Sequence, residues 1–170
     1  INKSANKIMN IKFPKHIQTY YSYEKNKNKS FTKNKIINQI KDNYDYFTFI
    51  KDNQTVNEIW LDSLLSSSIK YNSDIMSGPV KFFANSKTKT NENSFSSTRK
   101  NKTGDIIKIN DVRNIIIKGE IFNEIKKPFN ENFKDIDDSY THLLNILSNK
   151  GNKIKWCNEA IIYKNFNKKG

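Results

Sequence analysis

The apolar residues of this chain arrive in short packets. "YDYFTFI" (44–50), "IIKI" (106–109) and "IIIKGEIFNEI" (115–125) are each bounded by lysine- and asparagine-rich polar tracts. None approaches the roughly 18 consecutive apolar residues that a membrane-crossing helix needs. Packets of this size, rich in Ile, Phe and Tyr and spaced roughly ten residues apart, predict short strands closed into a small barrel or sandwich. With 170 residues and 35% hydrophobic content, there is apolar material for one domain carrying polar extensions.

The expected organisation has three parts. Residues 1–43 read as a basic N-terminal arm, in which Pro14 blocks a long helix. Ile36, Ile37 and Ile40 mark a short amphipathic helix over 31–43. Residues 44–127 read as the barrel. There "YDYFTFI" is a strand, and 56–76 alternates apolar and polar residues as two strands around a serine turn at 65–68. Gly78–Pro79 is a turn, and 115–125 is a further strand bulged at Gly119. Residues 128–170 form a helix–strand extension. Its helix spans 137–151, with an N-cap at Asp137, Asp138 or Ser139 and an apolar face at Tyr140, Leu143, Leu144, Ile146 and Leu147. Lys150 and Gly151 are its C-terminal signature, and 153–166 supplies one or two strands.

Charge narrows the partner. Lys and Arg number 30 against 17 acids, a formal net charge of +13. The surplus is concentrated in residues 1–40 (+8), 76–120 (+5) and 141–170 (+5), while 41–75 and 121–140 are net acidic. Such an excess is the footprint of a polyanion partner, nucleic acid first. An A/T-rich coding sequence also yields Lys, Asn and Ile, and 28 of the 30 basic residues are Lys. A phosphate backbone nevertheless responds to charge whatever its origin.

Catalysis finds little to stand on. General acid–base chemistry needs a positioned His or two carboxylates with separated pKa values. His16 lies in the arm, His142 lies on a packing helix, and capping accounts for Asp137 and Asp138. GxSxG, P-loop, GxGxxG and HExxH patterns are absent from the sequence. Cys157 follows Trp156 in an apolar run and reads as a small buried residue, with no second cysteine to pair with. The expectation is a non-enzyme with no catalytic residue, metal, cofactor or small-molecule substrate.

The most informative stretch is "KNKTGDIIKINDVRN" (100–114). Gly104 supplies backbone freedom for a turn, Asp105 caps it, and isoleucines then alternate with Lys108 to give a core face and a basic outer face. The order around it, from about Val56 to Ile125, resembles the small-subunit ribosomal protein seventeen family, an OB-fold barrel that binds ribosomal RNA. The likeness is carried by Asp62, Ser68 and Ile69 in "WLDSLLSSSIK" (60–70), by the Gly78–Pro79 step and by the basic stretch from Lys87 to Thr90. It continues through Gly104, Asp105, Ile106, Ile107, Ile109, Asp111, Arg113 and Lys118. The chain departs from the family pattern at Phe95–Ser96, which replace a histidine–aspartate step, and at Asn114, which replaces a proline. Ile116 and Ile117 replace a serine–lysine pair.

The resemblance implies a mainly β fold: a five-stranded OB-like barrel with a basic arm before it and the helix–strand unit after it. It implies a structural rRNA-binding protein of a small ribosomal subunit, in the mitochondrion or alternatively the nucleus, with rRNA and neighbouring ribosomal proteins as partners. Arg113 would grip a phosphate with its planar fork. Lys87, Lys89, Arg99, Lys100, Lys102, Lys108 and Lys118 would neutralise the backbone around it. The alternative is a single-stranded DNA- or RNA-binding OB module of the telomere or replication type. It needs aromatic platforms, for which Tyr44, Tyr46, Phe47, Phe49 and Tyr71 are the candidates. A third reading is a basic scaffold that binds only proteins.

Overall fold

Three helices each lead directly into a strand of one sheet. Helix α1 (Lys29–Ile40) precedes β1 (Tyr46–Thr48), α2 (Trp60–Lys70) precedes β3 (Ile75–Gly78), and α3 (Ile136–Asn149) precedes β6 (Ile154–Trp156). With β5 (Asn114–Lys118) these strands form a sheet in the order β1–β5–β3–β6. In it β5 is antiparallel to both neighbours, while β3 and β6 are parallel. A second sheet, in the order β2–β7–β4, joins β2 (Gln54–Val56), β7 (Ile162–Phe166) and β4 (Val80–Ala84). The computed structural model describes residues 15, 17–19, 25, 28–51, 53–84, 101–109, 112, 114–133 and 136–166. These residues form a small α/β domain with two open mixed sheets. Among them the closed OB-like barrel is not formed.

The largest correction is at 60–70. Two strands were expected across 56–76, and the ribosomal likeness also implies a barrel strand there. The segment is instead the helix α2. Trp60, Leu64, Ser67 and Ser68 are buried, at offsets of four, seven and eight residues, which is the helical period. The serines are small enough to lie against the sheet, and the Ser68 hydroxyl donates to the Ser73 carbonyl at 2.6 Å. Asp62 in the first turn and Lys70 in the last suit the helix dipole. The Gly78–Pro79 step also differs from its reading. It is not a reversal: the chain passes straight from β3 into β4, and so from one sheet to the other.

Alternation along the central strands divides the core in two. On one face Phe47, Ile75, Ile115, Ile117, Ile154 and Trp156 meet Ile37 of α1 and Leu143, Leu144 and Leu147 of α3. On the other, Met76 and Ile116 meet Trp60 and Leu64 of α2, with Cys157, Ala160 and Ile162. The two-helix core draws on segments far apart in the chain, from Ile37 to Trp156. A strap from Phe122 to Glu131 runs antiparallel along α1. Its carbonyls at Phe122, Lys126, Phe129 and Glu131 accept from Lys41, Asn38, Asn34 and Asn28 in turn.

Element ends follow local chemistry. Asn28 caps α1 by accepting from the Ser30 and Phe31 N–H groups, so the helix starts ahead of the expected 31. At the end of α3, Gly151 is left-handed at φ +92°, its N–H donates to Ser148, and the Asn152 N–H donates to Leu147. That is the Schellman pattern Lys150–Gly151 predicted. The start of α3 lies at Ile136, so Ser139 is inside the helix, where its hydroxyl donates to the Asn130 carbonyl. The strand expected over 115–125 stops at Lys118. Gly119 then brings its N–H within 2.6 Å of the Asp45 carbonyl and opens a 3-10 turn, Gly119–Asn123. Among the described residues no helix is long and apolar enough to cross a membrane.

Candidate nucleic-acid interface

The segment 101–109 lies along the outer edge of β6. The Gly104 N–H donates to the Trp156 carbonyl, the Trp156 N–H to Asp105, and the Ile107 N–H to Ile154. Ile106 and Lys155 form the antiparallel bridge between them. The turn that starts this segment is built as its sequence suggests. Gly104 sits at φ +98°, and an added Cβ would lie 2.5 Å from a ring carbon of Tyr71. A side chain there is both strained and without space. Asp105 accepts from the Lys102 N–H at 2.7 Å and closes the turn. Ile107 is buried and Ile109 half-buried, while Ile106 and Lys108 face outward. The stretch thus presents a basic outer face, added to an open sheet rather than closing a barrel.

Of the basic residues singled out by sequence, Lys102 and Lys108 share this segment and are both exposed. Lys118 lies apart, at the end of β5. It pairs with Glu120 and lies 4.0 Å from Asp74. The hydrogen bond to Glu120 raises its pKa above the usual lysine value, with the Glu120 and Asp74 charges acting the same way. A phosphate would have to compete with two carboxylates for this ammonium. Lys87, Lys89, Arg99, Lys100 and Arg113 lie outside the described residues.

The aromatic platforms needed by a single-strand binder are largely used in packing. Phe47 is buried edge-on against Phe122 at 5.2 Å. Phe49 packs between Phe129 and Tyr140, with the Lys33 ammonium 3.9 Å from its ring centre. Tyr71 supports Gly104, and Tyr46 is half-buried beside Trp60 and Met76. Tyr44 is the exposed member, at 40%.

The other singled-out groups have structural surroundings. Cys157 is fully buried beneath α2; burial pushes its thiol pKa up, partly offset by the Ser67 hydroxyl at 3.4 Å. The His142 ring lies tilted at 58° to Phe133, 5.5 Å between centres, and its buried Nδ1 has no hydrogen-bond partner among the described residues. Glu159 accepts from the Thr103 hydroxyl at 2.7 Å, which lowers its pKa and ties the 101–105 turn to the loop after β6. Among the described residues, no group of three His, Cys, Asp or Glu side chains could hold a metal. No known protein-family model matches this sequence, and no curated protein matches it.

Proposed function

We propose that this chain binds nucleic acid, RNA first, through lysines displayed along the β6 edge of an α/β domain. The observation that carries the reading is the net charge of +13. The likeness of the 100–114 stretch to the ribosomal family supports RNA over DNA and a place in a small ribosomal subunit. The helix at Trp60–Lys70 gives no support to the barrel part of that likeness. Fluorescence anisotropy with a labelled single-stranded RNA, taken across a salt series, tests the binding. Several phosphate contacts would give a log–log slope of about −2 to −4, at roughly 0.7 per neutralised phosphate. A slope near zero, or no binding at low salt, would sink the reading. Sedimentation of the tagged protein with the small subunit, persisting after magnesium is removed, tests the ribosomal setting.

A second reading rests on chain polarity. Strands β1, β3 and β6 run the same way, because β5 is antiparallel to β1 and β3 while β6 is parallel to β3. Each is preceded by a helix through a short connection, so α1, α2 and α3 begin at the edge where these strands end. The Trp60 indole, at the start of α2, donates to Asn114 at the first position of β5, which fixes that end in space. Open α/β sheets hold ligands outside the carboxyl ends of their strands, and helix N-termini favour negative charge there. The ligand class is a phosphorylated small molecule. A mononucleotide titrated into labelled protein should shift the amides of 49–51 and 157–160. Unmoved amides at millimolar nucleotide would eliminate this reading.

A further inference from the structure

At the opposite edge, the turns leading into β3 and β6 line an open pocket of about 280 Å³. Its wall includes Asn72, Asp74, Lys150, Gly151, Lys153 and Lys155. Three lysines therefore face one carboxylate. Helices α2 and α3 both end here, so part of this charge offsets the partial negative charge of their carbonyl ends. Lys155 donates one N–H to the Tyr71 carbonyl at 2.6 Å, which leaves two further donors on a half-buried ammonium. Lys150 pairs with Glu124 at 2.9 Å, but that carboxylate is 71% exposed, and a pair so wet holds weakly. Asp74 is partly neutralised by Lys118 at 4.0 Å. Lys153 is exposed and has no hydrogen bond or ion pair among the described residues. The isolated bridge between Ile106 and Lys155 ties the 101–109 segment to the strand that carries Lys155.

We infer that this pocket receives one phosphate group, gripped by Lys153 and Lys155 with Lys150 at its rim. A phosphate offers several acceptor oxygens to the ammonium groups of lysines that line one pocket, and charge-assisted bonds of this kind are the stronger class. The inference deepens the nucleic-acid reading and rests on it only for the source of the phosphate, an RNA backbone rather than a free ion.

Two measurements on the full chain separate these sources. The first follows amide shifts of Ser73, Gly151, Asn152 and Lys153 during titration with pyrophosphate, and then with a short single-stranded RNA. The second compares the salt slope of RNA binding for the wild type and Lys153→Gln, an exposed substitution whose folding is checked by circular dichroism. The expected result is a shift of these amides by both titrants and a slope shallower by about 0.7 in the variant. RNA binding with still amides and an unchanged slope would overturn the pocket while leaving the wider reading in place. Shifts with pyrophosphate in a chain that does not bind RNA would keep the pocket as a free-phosphate site and remove the RNA source. Still amides with both titrants overturn the proposal outright.

Discussion

The two faces of the four-stranded sheet are held by different means. The face under α1 and α3 has a broad apolar core, from Ile37 through Phe122 and Phe129 to Trp156, and a strap zipped to α1 by asparagines. The face under α2 has one helix and a smaller cluster that continues into the second sheet through Cys157, Ala160 and Ile162. Each face also depends on one buried asparagine. Asn34, 3% exposed, pairs with the Phe129 backbone in both directions, at 2.7 and 2.9 Å. Asn114, fully buried, accepts from the Trp60 indole at 3.0 Å and donates to the Ala160 carbonyl at 2.6 Å. In a chain crowded with asparagine, these two act as ties because their amides replace backbone partners that would otherwise be buried unpaired.

The sharpest way to break this comparison is through α2. Leu64 is fully buried in the smaller cluster, where few neighbours can close a void. Leu64→Ala should cost about 2–5 kcal/mol, read from denaturant midpoints. Hydrogen exchange should quicken in α2 and in the β2–β7 pairing more than in α3. Uniform loss of protection would mean that the two faces unfold as one unit.

Next in size come the asparagine ties. Asn34→Ala strands the Phe129 N–H and carbonyl, while Asn114→Ala strands the Trp60 indole and the Ala160 carbonyl. Each should cost about 1–3 kcal/mol per buried group left without a partner. The location of the damage distinguishes them. Asn34→Ala should release the strap and α1, and Asn114→Ala should loosen the join between the sheets. Identical exchange patterns for the two variants would show that the ties are not local.

The smallest effect concerns acid. Glu131 accepts from Lys127 at 2.9 Å and from Asn34 at 3.0 Å, and these bonds, Lys127 first, hold its pKa below the usual carboxylate value. A folded-state pKa depressed in this way adds stability above the unfolded value, which is lost as the pH falls through the folded one. The strap should therefore loosen on acidification below about pH 4, and Glu131→Gln should flatten that part of the profile. An unchanged acid limb in the variant would assign the loss to other carboxylates.

Parts of this fold were legible because their signals are local. The Leu-rich face and the Schellman turn that ends it are written within fifteen or so residues, so the body and end of α3 could be read directly, while its start fell ahead of the expected cap. "TGDIIKI" likewise encodes its turn and its inward and outward faces, and β1, β6 and β7 fall within packets read as strands. The 60–70 stretch was misread because Val56, Glu58 and Trp60 mimic a period of two just before a serine-rich run. That run is tolerated by helix and turn alike. The indole that anchors α2 finds its acceptor at Asn114, 54 residues away. The basic pocket was missed for a similar reason. Lys150 was read as a helix terminator, and Lys153 and Lys155 as strand residues, with nothing nearby to link them to Asn72 and Asp74.

Legible in the residues alone were most of the strand packets, the helix end at Gly151, the turn at Gly104 and the surplus of positive charge. Each follows from backbone sterics, local hydrogen bonding or simple counting. Contacts between distant segments set the rest: that the two sheets stay open, that α2 is a helix, and that Phe47 and Phe49 pack inside instead of stacking outside. They also set which lysines are paired, as Lys118 is with Glu120, and which have no partner among the described residues, such as Lys153. Those outcomes depend on contacts between segments far apart in the chain, where burial and pairing override local preference.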